Sequence, residues 1–341
     1  MERQKTQVRD VLDALDVITG GRCVRNLAEI TGGRNRFVVT KSSDIPGKSC
    51  LELPGLVFGE LKAPVRKIGV AMTLTESAIE LAGATGIDAI VAHHPIADAA
   101  NSGGVTLKNY LSLYKIAVFE LHEAFHGLHP GIAYLHGHQV FRTDIAYGGN
   151  PGNIVLVGRA MDPQCTLGSI LDRIRLYANF AEEEAMLAAE RQCRSCPELI
   201  DAITASAGQI LLGTRKTPVH TVIHIFPHTG FTARQLAEVK KEHPEADTVI
   251  ASISRVRPEH ELVAMAKQLG LNFILGNSHA LEILENGMPL AVALQNLLPT
   301  VQVMLLRERV TATPVELAAS EVVREYARSM AGQYLLPREK K

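Results

Sequence analysis

The sequence predicts an α/β fold, and three observations predict it. From Lys67 onward, short apolar runs alternate with segments of helical periodicity, and the alternation returns after Pro218. One of these runs, Asp88–Ala92, is apolar at every residue after Asp88, the pattern of a parallel strand covered on both faces. Apolar residues make up 46% of the 341-residue chain, enough for a large core without disulfides or a structural metal.

The elements follow in order. The first helix runs from about Val8 to Val17, with Val8, Val11, Leu12 and Leu15 at helical spacing, and stops at Gly20-Gly21. The pentapeptide Ile-Thr-Gly-Gly-Arg occurs at Ile18–Arg22 and again at Ile30–Arg34. It reads as two similar helix ends; the alternative is an anion-binding backbone turn helped by Arg22 and Arg34. Ile68–Met72 reads as a strand, Thr75–Ala84 as a helix and Asp88–Ala92 as a strand. Leu107–Tyr114 is a short helix, Ile116–Leu121 a strand and Gly131–Leu135 another short helix. The stretch from about Thr166 to Ala207 is helical, and its Glu- and Ala-rich Ala181–Gln192 favours helix on propensity. Then come a strand His220–Phe226, a helix Thr232–Lys241, a strand Thr248–Ile253, a proline-led helix Pro258–Leu269 and a strand Asn272–Leu275. A helix from about Ser278 is interrupted near Gly287-Met288-Pro289. Val301–Leu306 is a late strand, Pro314–Met330 a closing helix, and Pro337–Lys341 a frayed tail. These elements divide into an N-terminal α/β half (1–150), a mainly helical middle (151–217) and a C-terminal α/β half (218–341).

Composition excludes several functions. The formal net charge is −1, so no basic face for a nucleic acid is expected. No run approaches the ~18 apolar residues of a membrane span. Residues 1–20 are charged and amphipathic, unlike a signal peptide. Five cysteines, an odd number, read as reduced thiols of a cytoplasmic protein. Cys193-Arg-Ser-Cys196 is a lone pair in a helical region, without the second pair that a zinc ribbon needs, and is not expected to bind metal.

Histidine carries the chemical signal. Seven of the 13 histidines lie between His93 and His138. His93-His94-Pro95 directly follows the strand ending at Ala92, and ligands bind at the carboxyl ends of strands in open α/β sheets. His122 and His126 follow the next strand at a spacing that puts both rings on one face of a helix. His279 and Glu282 follow a third strand, an imidazole and a carboxylate on one helical face. The shared position of the three clusters, among them His93, His94, His126, His279 and Glu282, points to one shared divalent-metal site. His129, His136 and His138 include bystanders, since a mononuclear site needs three or four ligands. His220, His224 and His228 would share one face of a strand and read as core or interface residues; the alternative is that they line the site from the C-terminal half. No phosphate-binding Gly-Lys-Ser/Thr loop or Gly-x-Ser-x-Gly elbow is present.

The order of these motifs resembles the NIF-three-like dinuclear-metal proteins, some of which are labelled type-two GTP cyclohydrolases. Residues 68–95 match the family's strand, helix, strand and His-His-Pro. Leu107–His126 is similar to the helix and strand leading into its His-Thr-x-x-Asp segment, and Gly131-Ile132 resembles its Gly-Val. Ala246–Glu282 looks like its final strand–helix–strand ending in Gly-His-x-x-x-Glu. The resemblance implies two similar α/β halves around a central metal cleft, mixed sheets covered by helices, and a homohexameric ring. The departures are specific. The family's Asp-Asn-x-Gly-Leu appears as Glu52-Leu53-Pro54-Gly55-Leu56. Its ligand Asp falls on His126, and its final ligand His falls on Ser278, one residue before His279. Glu282 matches directly.

An imidazole in place of a carboxylate favours Zn²⁺ first, then Fe²⁺, Co²⁺ or Ni²⁺, with Mn²⁺ less suited, at one or two ions per chain. A neutral imidazole does not bridge two ions as a carboxylate does, so a second ion would need Glu282 or Glu123 as the bridge. The function this implies is a metal-dependent hydrolase acting on a small molecule, such as a nucleotide or another heterocycle, with Glu282, Glu123 or His122 moving the proton. The alternative is a non-catalytic metal-binding or regulatory ring-shaped scaffold.

Overall fold

The computed structural model describes residues 5–42, 49–94, 105–150 and 152–336. Two mixed sheets organise it, and each is centred on parallel strands linked through helices. The first has the order Gln302–Leu306, Lys67–Ala71, Ala89–Ala92, Ala117–Glu120, Gly55–Phe58. The first four strands are parallel and Gly55–Phe58 is antiparallel. The second has the order Gln209–Leu212, Asn272–Ser278, Thr248–Ile253, Thr221–Ile225, Val155–Ala160, His138–Asp144. Here Asn272–Ser278, Thr248–Ile253 and Thr221–Ile225 are parallel, and the flanking strands are antiparallel. Two-stranded ribbons pair Val39–Ser42 with Ser49–Glu52 and Ile200–Asp201 with Thr311–Ala312.

The mixed, helix-covered α/β class expected from the sequence is the class observed. Ala89–Ala92, Ala117–Glu120, Thr221–Ile225 and Thr248–Ile253 are buried at every residue, as strands with helices on both faces must be. The helices Val8–Thr19 and Met288–Leu297 cover one face of the first sheet, where Leu15, Leu290 and Leu294 meet Val91 and Phe119. Glu76–Thr85 and Val105–Tyr114 cover the other, with Ile79 and Leu111 against Ile90 and Val118. In the second sheet, Ala233–Glu242 and Glu261–Gln268 pack Leu236, Val239 and Leu262 on Phe273. Leu167–Tyr177 packs Ile170 and Ile174 on Val222 and Ile274 from the opposite side.

Sequence order and sheet order diverge at the chain's two crossing points. The strand Gln302–Leu306 returns from the far end of the chain to the first sheet, and Met288–Leu297 packs beside the first helix. Conversely, His138–Asp144 is an edge strand of the second sheet. Among the described residues, no helix is long and apolar enough to cross a membrane.

Several expected boundaries move, each for a local reason. The strand from Asn272 continues to Ser278, and a 3₁₀ turn His279–Leu281 and a π turn Ile283–Gly287 precede the helix Met288–Leu297. Pro289, near the start of that helix, has no N–H to donate to the carbonyl four residues back, which favours a widened turn ahead of it. The helix expected from Pro258 begins at Glu261, capped by His260 Nδ1 accepting from Leu262 N at 3.2 Å. The closing helix spans Glu321–Met330, because Ser320 Oγ caps it and Pro314 opens only a 3₁₀ turn, Val315–Leu317. The middle stretch breaks into Leu167–Tyr177 and Phe180–Cys193 at Asn179, whose φ is +49°. Both Ile-Thr-Gly-Gly-Arg repeats do end helices, at Gly20 in the left-handed conformation and at Gly32. The expected tail Pro337–Lys341 lies outside the described residues, as does Pro95.

Candidate metal centre

The carboxyl ends of parallel strands from both sheets open on one cleft of about 960 Å³. Thr73 and His94 reach it from the first sheet after Lys67–Ala71 and Ala89–Ala92, and His122 after Ala117–Glu120. His228 follows Thr221–Ile225, Ile253 ends its strand, and His279 and Glu282 follow Asn272–Ser278. The site therefore requires both sheets.

Two groups of side chains converge there with ligand atoms within 4.8 Å of one another, namely His93, His94 and Glu282, and Glu52, His122 and Glu123. In the first group His94 Nε2 donates to Glu282 Oε2 at 3.0 Å, and His93 Nε2 lies 3.5 Å from Glu282 Oε1. Thr73 Oγ1 sits 3.0 Å from His94 Nδ1 and so fixes the ring from behind. Asn286 Nδ2 donates to Glu282 Oε1 at 3.0 Å, a contact formed across the π turn. In the second group His122 Nδ1 donates to Glu52 Oε1 at 2.9 Å, and Glu123 N donates to the same oxygen at 3.1 Å. Glu123 Oε1 lies 3.6 Å from His122 Nδ1.

The groups are adjacent, since the rings of His93 and His122 are 5.5 Å apart. His126 stands beside both, its ring 4.5 Å from that of His122 and 5.9 Å from that of His93, and its Nδ1 donates to Glu123 Oε2 at 3.3 Å. It lies outside the two converging groups, as does His279, whose Nε2 is 3.9 Å from Glu282 Oε2 and whose side chain is 47% exposed. Arg22, from the first Gly-Gly-Arg turn, holds the loop that carries His126. Its Nη1 donates to the carbonyls of Ala124 at 3.0 Å and His126 at 3.2 Å.

Electrostatics suit a cation. Burial pushes the His93 imidazolium down to about 4, against the pull of Glu282. Burial likewise lowers His279, and lowers His228 to about 4. These rings are neutral at pH 7, the form that ligates metal. Burial alone would raise the Glu282 carboxyl, but His94 and His93 beside it hold it well below the ordinary range. Glu123 and Glu282 are nearly buried, and among the described residues neither pairs with Lys or Arg. Glu123 Oε1 and His93 Nδ1 are buried without a hydrogen-bond partner. Glu123, a buried carboxylate with an unmet oxygen, has imidazoles and a second carboxylate, Glu52, around it and, among the described residues, no Lys or Arg paired with it; a divalent ion would balance that charge, so the donor set fits one.

The remaining histidines divide by environment. His129 Nδ1 accepts from Gly131 N at 3.0 Å. His136, His138 and His224 are buried inside the second sheet. His220, His224 and His228 do not share a face, because the strand ends at Ile225 and Pro227 starts a 3₁₀ turn. His220 bonds Asp247 at the surface, His224 is in the core, and His228 stands in the cleft with its ring 4.9 Å from His279. No metal-holding group among the described residues includes a cysteine. Cys193 is exposed, whereas Cys196 packs with Leu187 and Leu199.

Sequence reasoning passed over Glu52, Thr73, Asn286 and Ile253. Glu52 had a signal, since it opens the segment aligned with the family's Asp-Asn-x-Gly-Leu and carries a carboxylate there. Ile253 had none: its φ of +64° is unusual for a β-branched residue and appears only in three dimensions.

This fold and this cleft define a class, two helix-covered mixed sheets whose strand ends share a histidine–carboxylate centre. Residues 41–111 match the model of the family described as Duf34/NIF3 (NGG1p interacting factor 3). The fold is similar to that of reduced HcgD from Methanocaldococcus jannaschii, at 15% identity and a TM-score of 0.57 over 89% of this chain and 99% of that one. It is also similar to a Bacillus cereus protein related to NIF3 (12% identity, TM-score 0.53, 89% and 97% covered). A third similar structure is TTHA1606 from Thermus thermophilus (16%, 0.53, 89% and 98%). No curated protein matches the chain. The resemblance to the NIF-three-like proteins thus holds for the fold and, in sequence, for residues 41–111, with the low identity of a divergent relative.

Proposed function

We propose that this chain is a divalent-metal protein that hydrolyses a small molecule bound in the cleft. The observation that carries the reading is the pair of adjacent ligand groups, His93/His94/Glu282 and Glu52/His122/Glu123, on the wall of a large open cleft. His93, His94 and Glu282 would hold the first ion, with His279 at its rim. Glu52, His122 and Glu123 would hold a second, with His126 beside them. A bound Zn²⁺ or similar ion with an open position supplies a water of lowered pKa and polarises a carbonyl. Glu52 and Glu123 restore on this side the negative charge that His126 lacks relative to the family pattern. Glu282 turns one oxygen toward His93 and the other toward His94, so both oxygens serve the first group. Asn286 and Thr73 hold Glu282 and His94 in register. With only the first ion bound, His122, which lines the cleft, and Glu123 beside it would be the groups to move a proton.

The test is metal analysis of protein purified without an affinity tag, followed by hydrolysis assays. The expected result is one or two transition-metal ions per chain, Zn²⁺ preferred over Mg²⁺. Glu282→Gln should lose the ion at the first group, and Glu52→Gln should affect only the second. A protein that binds metal with all coordination positions closed to water, and hydrolyses nothing, would instead be the metal-binding scaffold. A protein that binds no transition metal refutes both readings.

A further inference from the structure

The part of the cleft away from the metal-ligand groups has its own chemistry. Phe125, Ile132, Phe141, Leu156, Phe226 and Ile253 supply an apolar and partly aromatic wall. Among the described residues, neither Lys nor Arg lines the cleft. Glu285 also lines it, three residues beyond Glu282 on the π turn. Its side chain is 3% exposed, and Oε2 is buried without a hydrogen-bond partner.

We infer that the cleft takes an uncharged, carbonyl-bearing ring molecule and not a phosphorylated nucleotide. The inference rests on the metal-hydrolase reading for the position of the reacting group, but its binding chemistry stands apart from it. A polyphosphate needs several cationic or backbone donors, as in phosphate loops. Here a metal could meet one anionic group, and no cationic side chain of the described lining is available for the rest. A flat apolar ring instead buries surface against Phe125, Phe226 and their neighbours, which is how most small-molecule sites gain affinity. Burial and the charge of Glu282 both push the Glu285 carboxyl well above its ordinary range, toward the protonated acid. Its buried Oε2 has no partner among the described residues, and in the protonated form it is a donor that a carbonyl oxygen on the ring would meet. A buried donor left unmet favours the ligand that meets it over one that does not.

The experiment uses the full chain, metal-free and Zn²⁺-loaded, and measures binding of phthalimide, GTP and inorganic phosphate by calorimetry and ligand-observed NMR. Phthalimide is flat, apolar and bears carbonyls. It is expected to bind both forms, while GTP binds no more tightly than inorganic phosphate. Glu285→Leu should weaken phthalimide at least tenfold, and Glu285→Gln, which keeps a donor, no more than about threefold. GTP binding tenfold or more tighter than both phosphate and phthalimide overturns the inference, and so does unchanged phthalimide affinity in Glu285→Leu. The wild-type comparison decides the matter if the leucine variant does not fold. Failure to bind Zn²⁺ with phthalimide binding intact sinks the metal reading alone. Zn²⁺ binding with GTP preferred sinks this inference alone.

Discussion

At the residue scale, three buried histidines in and against the second sheet form a hydrogen-bonded chain that tolerates no extra proton. His138 Nε2 lies 3.0 Å from His224 Nδ1, and His224 Nε2 lies 2.8 Å from Ser252 Oγ. Ser252 Oγ is 3.1 Å from His136 Nε2, which accepts from Asn277 N at 2.9 Å, and His136 Nδ1 donates to the carbonyl of Ile132 at 2.6 Å. Every ring is neutral, and burial pushes His136 down to about 4 and His138 to about 3. As pH falls below 6.5, the unfolded chain takes up protons that the folded chain refuses. Stability is therefore unaffected above pH 6.5 and falls progressively between 6.5 and about 4, each ring costing on the order of 3 kcal/mol at the low end. Urea unfolding at pH 7.5 and 5.0 should show a loss of several kcal/mol, and ¹⁵N shifts should show these imidazoles still neutral at pH 5. Equal stability at the two values would contradict the burial argument. His126 gives a second prediction. His126→Asp would set a carboxylate next to Glu123, which now accepts from His126. The metal-free variant should melt at lower temperature through like-charge repulsion, and Mn²⁺ should restore it more than it stabilises wild type. No change in melting or metal preference would place position 126 outside the centre.

At the element scale, the site depends on how elements end. The π turn Ile283–Gly287 puts Glu282 and Asn286 on one side while Glu285 faces the cleft beside them. The first helix ends at Gly20 in the left-handed conformation, and the turn brings Arg22 to the carbonyls of Ala124 and His126. Arg22 thus positions the second ligand group without lining the cleft. Arg22→Met should weaken the second ion about tenfold, the usual effect of removing an outer support, and leave the first unchanged. Titration of the metal-free variant with Co²⁺, followed by its absorption bands, separates the two ions. Equal weakening of both would mean that Arg22 acts on the fold as a whole.

At the scale of the whole molecule, the first sheet cannot be completed by the N-terminal half. Its strand Lys67–Ala71 pairs with Gln302–Leu306, and Leu290 and Leu294 cover Leu15 and Phe119. A chain ended at residue 287 would leave that strand paired only with Ala89–Ala92, its other edge bare and that apolar face open. It should show no sharp melting transition and lose the dispersed NMR spectrum of the full chain. The intact protein should unfold in one step in urea, since the crossing segment ties the two sheets together. A well-folded truncated chain would show that the crossing segment is dispensable.

The strands and helices around the site were legible because their burial is written locally. Ala89–Ala92 and the Val249–Ala251 centre of Thr248–Ile253 are apolar where a sheet covered on both faces demands it, and both strands are found there. The edge strands Gly55–Phe58 and His138–Asp144 were not, since the first is only four residues beside a proline and a glycine and the second mixes polar residues into its one buried face. His93, His94 and Glu282 were legible as strand-end residues, whereas Glu52 lies on a ribbon whose approach to His122 no spacing reveals. By itself, then, the sequence determined which residues are chemically equipped and which strand each follows. Only the tertiary structure decided which of them meet, because His94 and Glu282 are 188 residues apart along the chain and 3.0 Å apart in space. That proximity is set by the packing of two sheets and by one crossing segment, and no local pattern encodes it.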